Sequence, residues 1–192
     1  MEHIRAWLKE QWGIKRFRIL LFVMLLFTII LAAEFCLFQY GGFKIVRYFI
    51  LFWSLTVIAW TDCRSRRISN AMVLFLLIAR TVLLVMECLA YREYWKSVLL
   101  SSAGGLFLGG GMFLVCYLLA RGGIGAGDVK LSAMLGYYLG SGAVFTAIFL
   151  TVLTAALFSI AALLLKKANL KQEIPFAPFI LTGTLITMML GV

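Results

Sequence analysis

The sequence predicts an all-α fold, a polytopic transmembrane helix bundle with about seven spans, and three observations support this prediction. Of the 192 residues, 64% are hydrophobic and only 14% are charged, which leaves too little polar surface for a soluble domain. The apolar residues form long runs, and such runs cross membranes as helices because each backbone polar group must then be satisfied within its own segment. The basic residues lie mostly between these runs, as they do in proteins whose loops carry the charges that set membrane topology. We therefore expect a lipid bilayer, and no nucleic acid, as partner.

Seven apolar segments account for the predicted spans. They are Phe17–Phe38, Ile45–Thr61, Ala71–Ala90, Val98–Ala120, Val129–Leu139, Ala143–Leu165 and Ile174–Val192. The first is longer than the apolar region of a signal peptide and lacks a small-x-small cleavage site, so it is predicted to be retained. The fifth is too short to cross a core of about 30 Å at about 1.5 Å per residue. The sequence "GSG" at 140–142 predicts a break there, between a short helix and a full one.

The orientation follows from the basic residues between the spans. Seven spans place thirteen lysines and arginines on one side, in residues 1–18, 62–70, 121–130 and 166–173, and four on the other. The positive-inside rule then predicts a cytoplasmic N-terminus and an outside C-terminus in a cell membrane.

Two aspartates are the candidate functional residues, because Asp62 and Asp128 are the only ones in the chain. Asp62 ends the second span and Asp128 begins the fifth, so both lie at the cytoplasmic boundary and are predicted to meet there. Paired carboxylates do not both ionise easily, so one keeps its proton while the other acts as a base that activates water. The alternative is a capping role at each helix end.

The glycines before Asp128 favour the functional interpretation. Gly125 and Gly127 let two backbones approach closely, so an extended substrate strand is predicted to lie beside the carboxylate. Lys130 is predicted to add positive charge near Asp128. A merely flexible loop is the alternative interpretation of the glycines. The four cysteines form no CxxC pair, so no metal site is predicted.

Three motifs resemble those of the type IV prepilin peptidases, which are membrane aspartic peptidases. "GAGDVK" at 125–130 resembles the family's G-x-G-D-x-K motif, and "DCRSRRISNAMV" at 62–73 resembles its first aspartate motif. "IPFAPFI" at 174–180 resembles its last-helix signature. The resemblance covers about residues 45–192. It divides the chain into a basic N-terminus with the first helix, residues 1–43, and a six-helix peptidase core, residues 44–192.

This resemblance implies an enzyme that removes the leader from type IV prepilins or pseudopilins at the cytoplasmic membrane face. Its partners are the leader and the N-terminal helix of the substrate, and it needs no metal or other cofactor. Asp62 and Asp128 would be catalytic. Gly125, Gly127, Lys130, Asn70 and Pro175 would support the site, Pro175 by shaping the start of the last helix.

Two departures from the family pattern affect the expectations. Ser69 stands where proline is usual, and Ser69 or Asn70 is expected to cap the following helix instead. The larger members carry an N-terminal segment with two CxxC pairs and also N-methylate the mature pilin. This sequence shows no such pairs, so it predicts a peptidase only.

Two other functions remain open at this stage. A small transporter would use the aspartates as ion sites near the bilayer midplane, and a non-catalytic assembly factor of a pilus or secretion system would need neither carboxylate. Arg80, deep in the third span, is expected to face the bundle and to pair with Glu34 or Glu87, which makes a structural ion pair the favoured role.

Overall fold

The computed structural model describes residues 15–37, 41–119, 125–165 and 175–191. These residues form six α-helices and no strand, which confirms the all-helical prediction. The helices are α1 (Lys15–Leu37), α2 (Gly42–Ser65), α3 (Asn70–Ala90), α4 (Trp95–Leu119), α5 (Ala126–Leu164) and α6 (Ala177–Met189). The chain divides into two compact units, residues 1–40 and residues 41–192. Helix α1 belongs to the first unit, and α2–α6 form the second.

Within the described residues, four helices, α2 to α5, are long and apolar enough to cross a membrane. Many of their large apolar side chains are exposed, among them Phe107, Phe149 and Leu100 at 66–74%. A water-soluble protein rarely exposes so much continuous apolar surface, whereas a lipid-facing bundle requires it. The chain is therefore a multi-pass membrane protein.

Helix α5 is broken at Gly140, where the sequence predicted a break. This residue has φ 83° and ψ 174°, a backbone conformation that side chains with a Cβ rarely adopt. The stretch before the break, residues 126–139, therefore extends only about 21 Å at about 1.5 Å per residue. It is too short to cross the hydrocarbon core, and Asp128 stands near its start.

The last helix differs from the expectation of a full span over 174–192. Helix α6 begins at Ala177 and has 13 residues, so it is about 20 Å long. Pro178 is its second residue, and proline is favoured in the first turn because its fixed φ suits the helix and its missing N–H needs no partner there. The two prolines of the motif thus lie at and before the start of a short helix.

Glycines allow α4 and the first part of α5 to touch backbone to backbone. A Cβ added at Gly105 would collide with the carbonyl of Gly136, and a Cβ at Gly136 would collide with the carbonyl of Gly105. One turn further along α4, Gly109 approaches the carbonyl of Ser132 in the same way. Small residues at such crossings are typical of membrane helices, because close packing replaces the hydrophobic effect as the source of attraction.

Arg80 is fully buried between α3, α4 and α5. Its Nη1 donates to the Glu87 carboxylate at 2.9 Å, its Nη2 donates to the Ser102 hydroxyl at 2.7 Å, and its Nε donates to the Tyr137 carbonyl at 3.1 Å. The predicted ion pair is confirmed with Glu87. The side chain of Glu34, the other partner considered, lies outside the part that the structure describes.

Candidate active site

Asp62 lies on the buried face of α2, three residues before the helix ends. The buried residues Phe52, Leu55 and Ala59 precede it at helical spacing, so their stripe carries the carboxylate into the bundle. Asp62 is only 6% exposed. Its Oδ2 accepts a hydrogen bond of 3.1 Å from the backbone N–H of Ala177, the first residue of α6. The start of α6 thus holds this carboxylate in place, as expected where a carboxylate meets the positive end of a helix.

Asp128 lies in the first turn of α5. Its Oδ2 accepts a hydrogen bond of 3.3 Å from the backbone N–H of Gly125, the residue that caps the helix. This contact satisfies one of the amide groups that a helix start leaves without a partner. The capping role that the sequence left open is therefore real for Asp128. It does not conflict with chemistry, because a capped carboxylate is held in one place and still presents a second oxygen.

A cavity of about 310 Å³ brings the two aspartates together at one end of the second unit. It is lined by Asp62, Arg66, Arg67, Ile68, Asn70, Gly125, Gly127, Asp128 and Lys130. The two carboxylates are near enough to interact electrostatically. All four of the glycine, lysine and asparagine residues predicted to support the site are part of this lining.

The two glycines of the site are placed where a side chain would disturb it. A Cβ at Gly125 would come within 3.1 Å of Oδ2 of Asp128, and a Cβ at Gly127 within 3.1 Å of the Cβ of Ile68. Gly127 thereby lets the start of α5 lie directly against the loop between α2 and α3. The groups that approach these two glycines are the side chains of Asp128 and Ile68, and the approach of a substrate strand stays a prediction.

Lys130 and Asn70 form a link between α5 and α3. The Lys130 Nζ donates to the Asn70 Oδ1 at 3.0 Å. Lys130 therefore contacts the neighbouring helix start, which the sequence did not predict. The expectation of a side-chain cap on α3 was wrong for Ser69: it occupies the capping position but makes no capping hydrogen bond, and the Asn70 side chain is engaged by Lys130.

Arg66 ends α2 in the left-handed conformation, with φ 51° and ψ 34°. Its backbone N–H donates to the carbonyl of Asp62 at 2.9 Å, a common way to end a helix, although the position usually takes glycine. The conformation turns the chain four residues after the aspartate, and the cavity lining includes Arg66 and Arg67. These arginines and Lys130 give the cavity a basic wall beside two carboxylates.

Pro175 is not among the residues that line the cavity. Its neighbour Phe176 packs on Phe113, with ring centroids 5.6 Å apart, within an apolar cluster that includes Val129. This packing fixes the start of α6 and, through Ala177, the carboxylate of Asp62. Pro175 therefore stands next to the anchoring segment and does not contribute to the wall.

Sequence reasoning missed four parts of the site: Arg66, Arg67, Ile68 and the N–H of Ala177. The burial of Asp62 could have been found, since its spacing from Phe52, Leu55 and Ala59 continues an apolar stripe. Within the described ranges, no three His, Cys, Asp or Glu side chains lie close enough together to hold a metal ion.

Comparison with known proteins relates this site to a family. Residues 49–160 match the sequence model of the type IV leader peptidase family. The chain is 33% identical over 138 residues to the prepilin leader peptidase/N-methyltransferase of Bacillus subtilis (strain 168), which covers 71% of the chain and 52% of that relative. It is 27% identical over 150 residues to the protein of the same name from Aeromonas salmonicida (strain A449), covering 78% of the chain and 51% of that relative.

The chain thus spans about half the length of the curated relatives it matches. The matched range of the family model contains both aspartates and ends before the segment that anchors Asp62. No solved structure matches the chain significantly.

Proposed function

Because the chain belongs to the type IV leader peptidase family, we propose that it is a membrane aspartic endopeptidase with Asp62 and Asp128 as its catalytic pair. Its substrates are type IV prepilins or pseudopilins, from which it removes the leader at the cytoplasmic membrane face. The relatives are named for prepilin leader cleavage, which supports this substrate class.

One observation carries the proposal. The two aspartates of the chain come from helices separated in sequence, yet they line one cavity, each with an oxygen held by a backbone N–H. Two carboxyl groups held near each other share a proton, because the ionised form of one disfavours the ionised form of the other. That state provides an acid and a base at the same place.

The pair supports peptide hydrolysis as follows. The ionised carboxylate takes a proton from a water molecule, whose oxygen attacks the scissile carbonyl carbon, while the protonated carboxyl group donates its proton to the carbonyl oxygen. The tetrahedral intermediate then collapses as the C–N bond breaks. The leaving nitrogen takes up the proton that the base acquired, and the proton on the intermediate's hydroxyl returns to the second carboxyl group. The pair ends as it began, with one proton.

The depth of the aspartates agrees with cleavage at a membrane boundary. Asp62 lies three residues from the end of α2, and Asp128 lies in the first turn of α5. A transporter site would be expected near the bilayer midplane. The helix starts at Ala177 and Ala126 lie beside the two carboxylates, at the same end of the bundle. In this proposal, the end of the substrate's apolar helix lies at the same depth as the two carboxylates.

The cytoplasmic placement rests on charge. In the seven-span topology predicted from the sequence, the segments on the side of Asp62 and Asp128 contain thirteen basic residues, and those on the other side contain four. The positive-inside rule assigns the richer side to the cytoplasm. On this assignment the N-terminus is cytoplasmic and the C-terminus is outside.

Leader removal from a co-expressed prepilin of the same genome tests the proposal. The wild type is compared with Asp62→Asn and Asp128→Asn, each checked for membrane insertion, and the product is measured by mass spectrometry. We expect cleavage by the wild type and a loss of at least a thousandfold in both variants, since each step above requires both carboxyl groups. Full cleavage by either variant would contradict the catalytic pair. The same mass spectrum tests the expectation that no methyl group is added.

A further inference from the structure

The end of the bundle remote from the two aspartates contains a second cleft of about 310 Å³. It lies between the start of α2, the end of α3 and the start of α4, and its wall includes Lys44, Arg47, Glu87, Tyr91, Ser97 and Ser101. Nothing in the proposed peptidase mechanism uses these residues.

Positive charge predominates around this cleft. The single carboxylate in its wall, Glu87, is engaged on both oxygens, by Arg80 at 2.9 Å and by Arg47 at 3.8 Å. Lys44 and Arg47 belong to the cleft wall, and Arg80 reaches Glu87 from within the bundle. Counting only these groups, the surroundings of the cleft keep an excess of two positive charges, and a partly buried excess of this kind attracts an anion.

Hydrogen-bond donors accompany the charge. Arg47 lines the cleft with its side chain 16% exposed, and its buried Nε has no hydrogen-bond partner within the described residues. The hydroxyl groups of Ser97 and Ser101 and the phenol of Tyr91 complete the polar wall. Arginine beside hydroxyl donors suits the oxygens of a phosphate group, which accept several hydrogen bonds at once.

The aromatic residues around the cleft indicate its depth in the membrane. Phe43 and Tyr91 pack edge to face with centroids 5.8 Å apart, and Tyr94 and Trp95 beside them are 66% and 44% exposed. Tyrosine and tryptophan concentrate at the level of lipid headgroups, where their rings meet both hydrocarbon and water. A phosphate at this depth belongs to a lipid.

We propose that this cleft binds the phosphate of an anionic phospholipid, with Lys44 and Arg47 as its principal contacts. The site explains why this end of the bundle keeps basic residues although the positive-inside rule disfavours them there. It is independent of the peptidase chemistry, because it concerns a different cleft at the other end of the helices.

Native mass spectrometry of the detergent-solubilised protein tests the site. Phosphatidylglycerol is titrated against phosphatidylcholine, which has the same phosphate but no net charge. We expect phosphatidylglycerol to bind about tenfold more tightly, and the Lys44→Gln/Arg47→Gln variant to lose about tenfold or more in that affinity, as for the loss of at least one charge-assisted hydrogen bond. Arg92→Gln, at an exposed position outside the cleft wall, is the matched control and should bind as the wild type does.

Each arm of the experiment has a contrary outcome. Equal affinity for the two lipids, or an equal loss in Arg92→Gln, would overturn the assignment, since both would indicate non-specific adsorption. Inorganic phosphate is the probe for a free anion: if it displaces the lipid at similar concentration, the lipid assignment is wrong. Should the double variant unfold, Lys44→Gln alone decides, with a loss of about threefold or more expected, and wild-type affinity in that variant would overturn the role of Lys44.

Discussion

The position of the Asp128 carboxylate depends on the absence of a side chain at Gly125, and the substitution Gly125→Ala tests this dependence. A Cβ at residue 125 would stand 3.1 Å from Oδ2 of Asp128, whereas ordinary contacts begin at 3.4 Å. The backbone of Gly125, with φ −77°, accepts alanine without strain. The carboxylate is the end of a rotatable side chain, so it is the group that moves, and the fold is expected to persist.

The required displacement is a few tenths of an ångström. A misplacement of about 1 Å at a reacting centre costs about 100-fold in rate, so a shift of about 0.3–0.5 Å corresponds to about 4- to 10-fold in kcat/KM. This loss equals about 0.8–1.4 kcal/mol of transition-state stabilisation. It is measured as initial rates of leader cleavage by the purified enzyme, with the melting temperature recorded on the same samples.

Gly111→Ala is the matched control, because a Cβ at this position in α4 meets nothing within 4 Å. It adds the same methyl group and should leave kcat/KM unchanged. The reasoning is refuted if Gly125→Ala cleaves at the wild-type rate while Asp128→Asn is inactive. In that case the contact with residue 125 would not determine where the carboxylate acts.

Three further predictions follow from other contacts. Lys130→Met and Asn70→Ala should each lower kcat/KM by about 2- to 5-fold, because each removes the same exposed hydrogen bond. The double variant should lose no more than either single variant, and additive losses in this double-mutant cycle would contradict a functional role of the hydrogen bond. Arg80→Met should destabilise the protein by about 3–5 kcal/mol, because it leaves Glu87 buried without its nearest partner, and thermal unfolding that matches the wild type would contradict this. Gly136→Ala should cost about 1–3 kcal/mol or more through overpacking at a backbone contact, and a measured stabilisation would exclude that contact.

Local signals in the sequence were sufficient to predict the helices and the break in α5. Runs of apolar residues specify membrane helices because the bilayer leaves few alternatives for the backbone. The break could be predicted because glycine readily adopts a positive φ such as the 83° of Gly140. That Asp62 and Asp128 lie near each other could be predicted because successive spans cross the membrane in alternating directions. The end of the second span and the start of the fifth then lie on the same side.

The contacts that hold the carboxylates could not be predicted in this way. The hydrogen bond from Ala177 to Asp62 joins residues 115 positions apart, and no local pattern indicates which distant amide reaches a given side chain. The same reason accounts for the contact of Lys130 with Asn70, which tertiary packing decides. The start of α6 was misjudged because the predicted span followed the apolar run from Ile174, although the prolines were expected to shape the start of the helix and the helix begins at Ala177.

The anchoring of Asp62 by α6 also affects the order in which the protein matures during synthesis. Asp62 and Asp128 enter the membrane with the early and middle helices, but the amide that fixes Asp62 is made only when the last helix emerges. A nascent chain therefore contains Asp128, which its neighbour Gly125 contacts, before the amide that holds Asp62 has been made. If Asp62 and Asp128 are the catalytic pair proposed above, the pair is complete only when the last helix has been inserted.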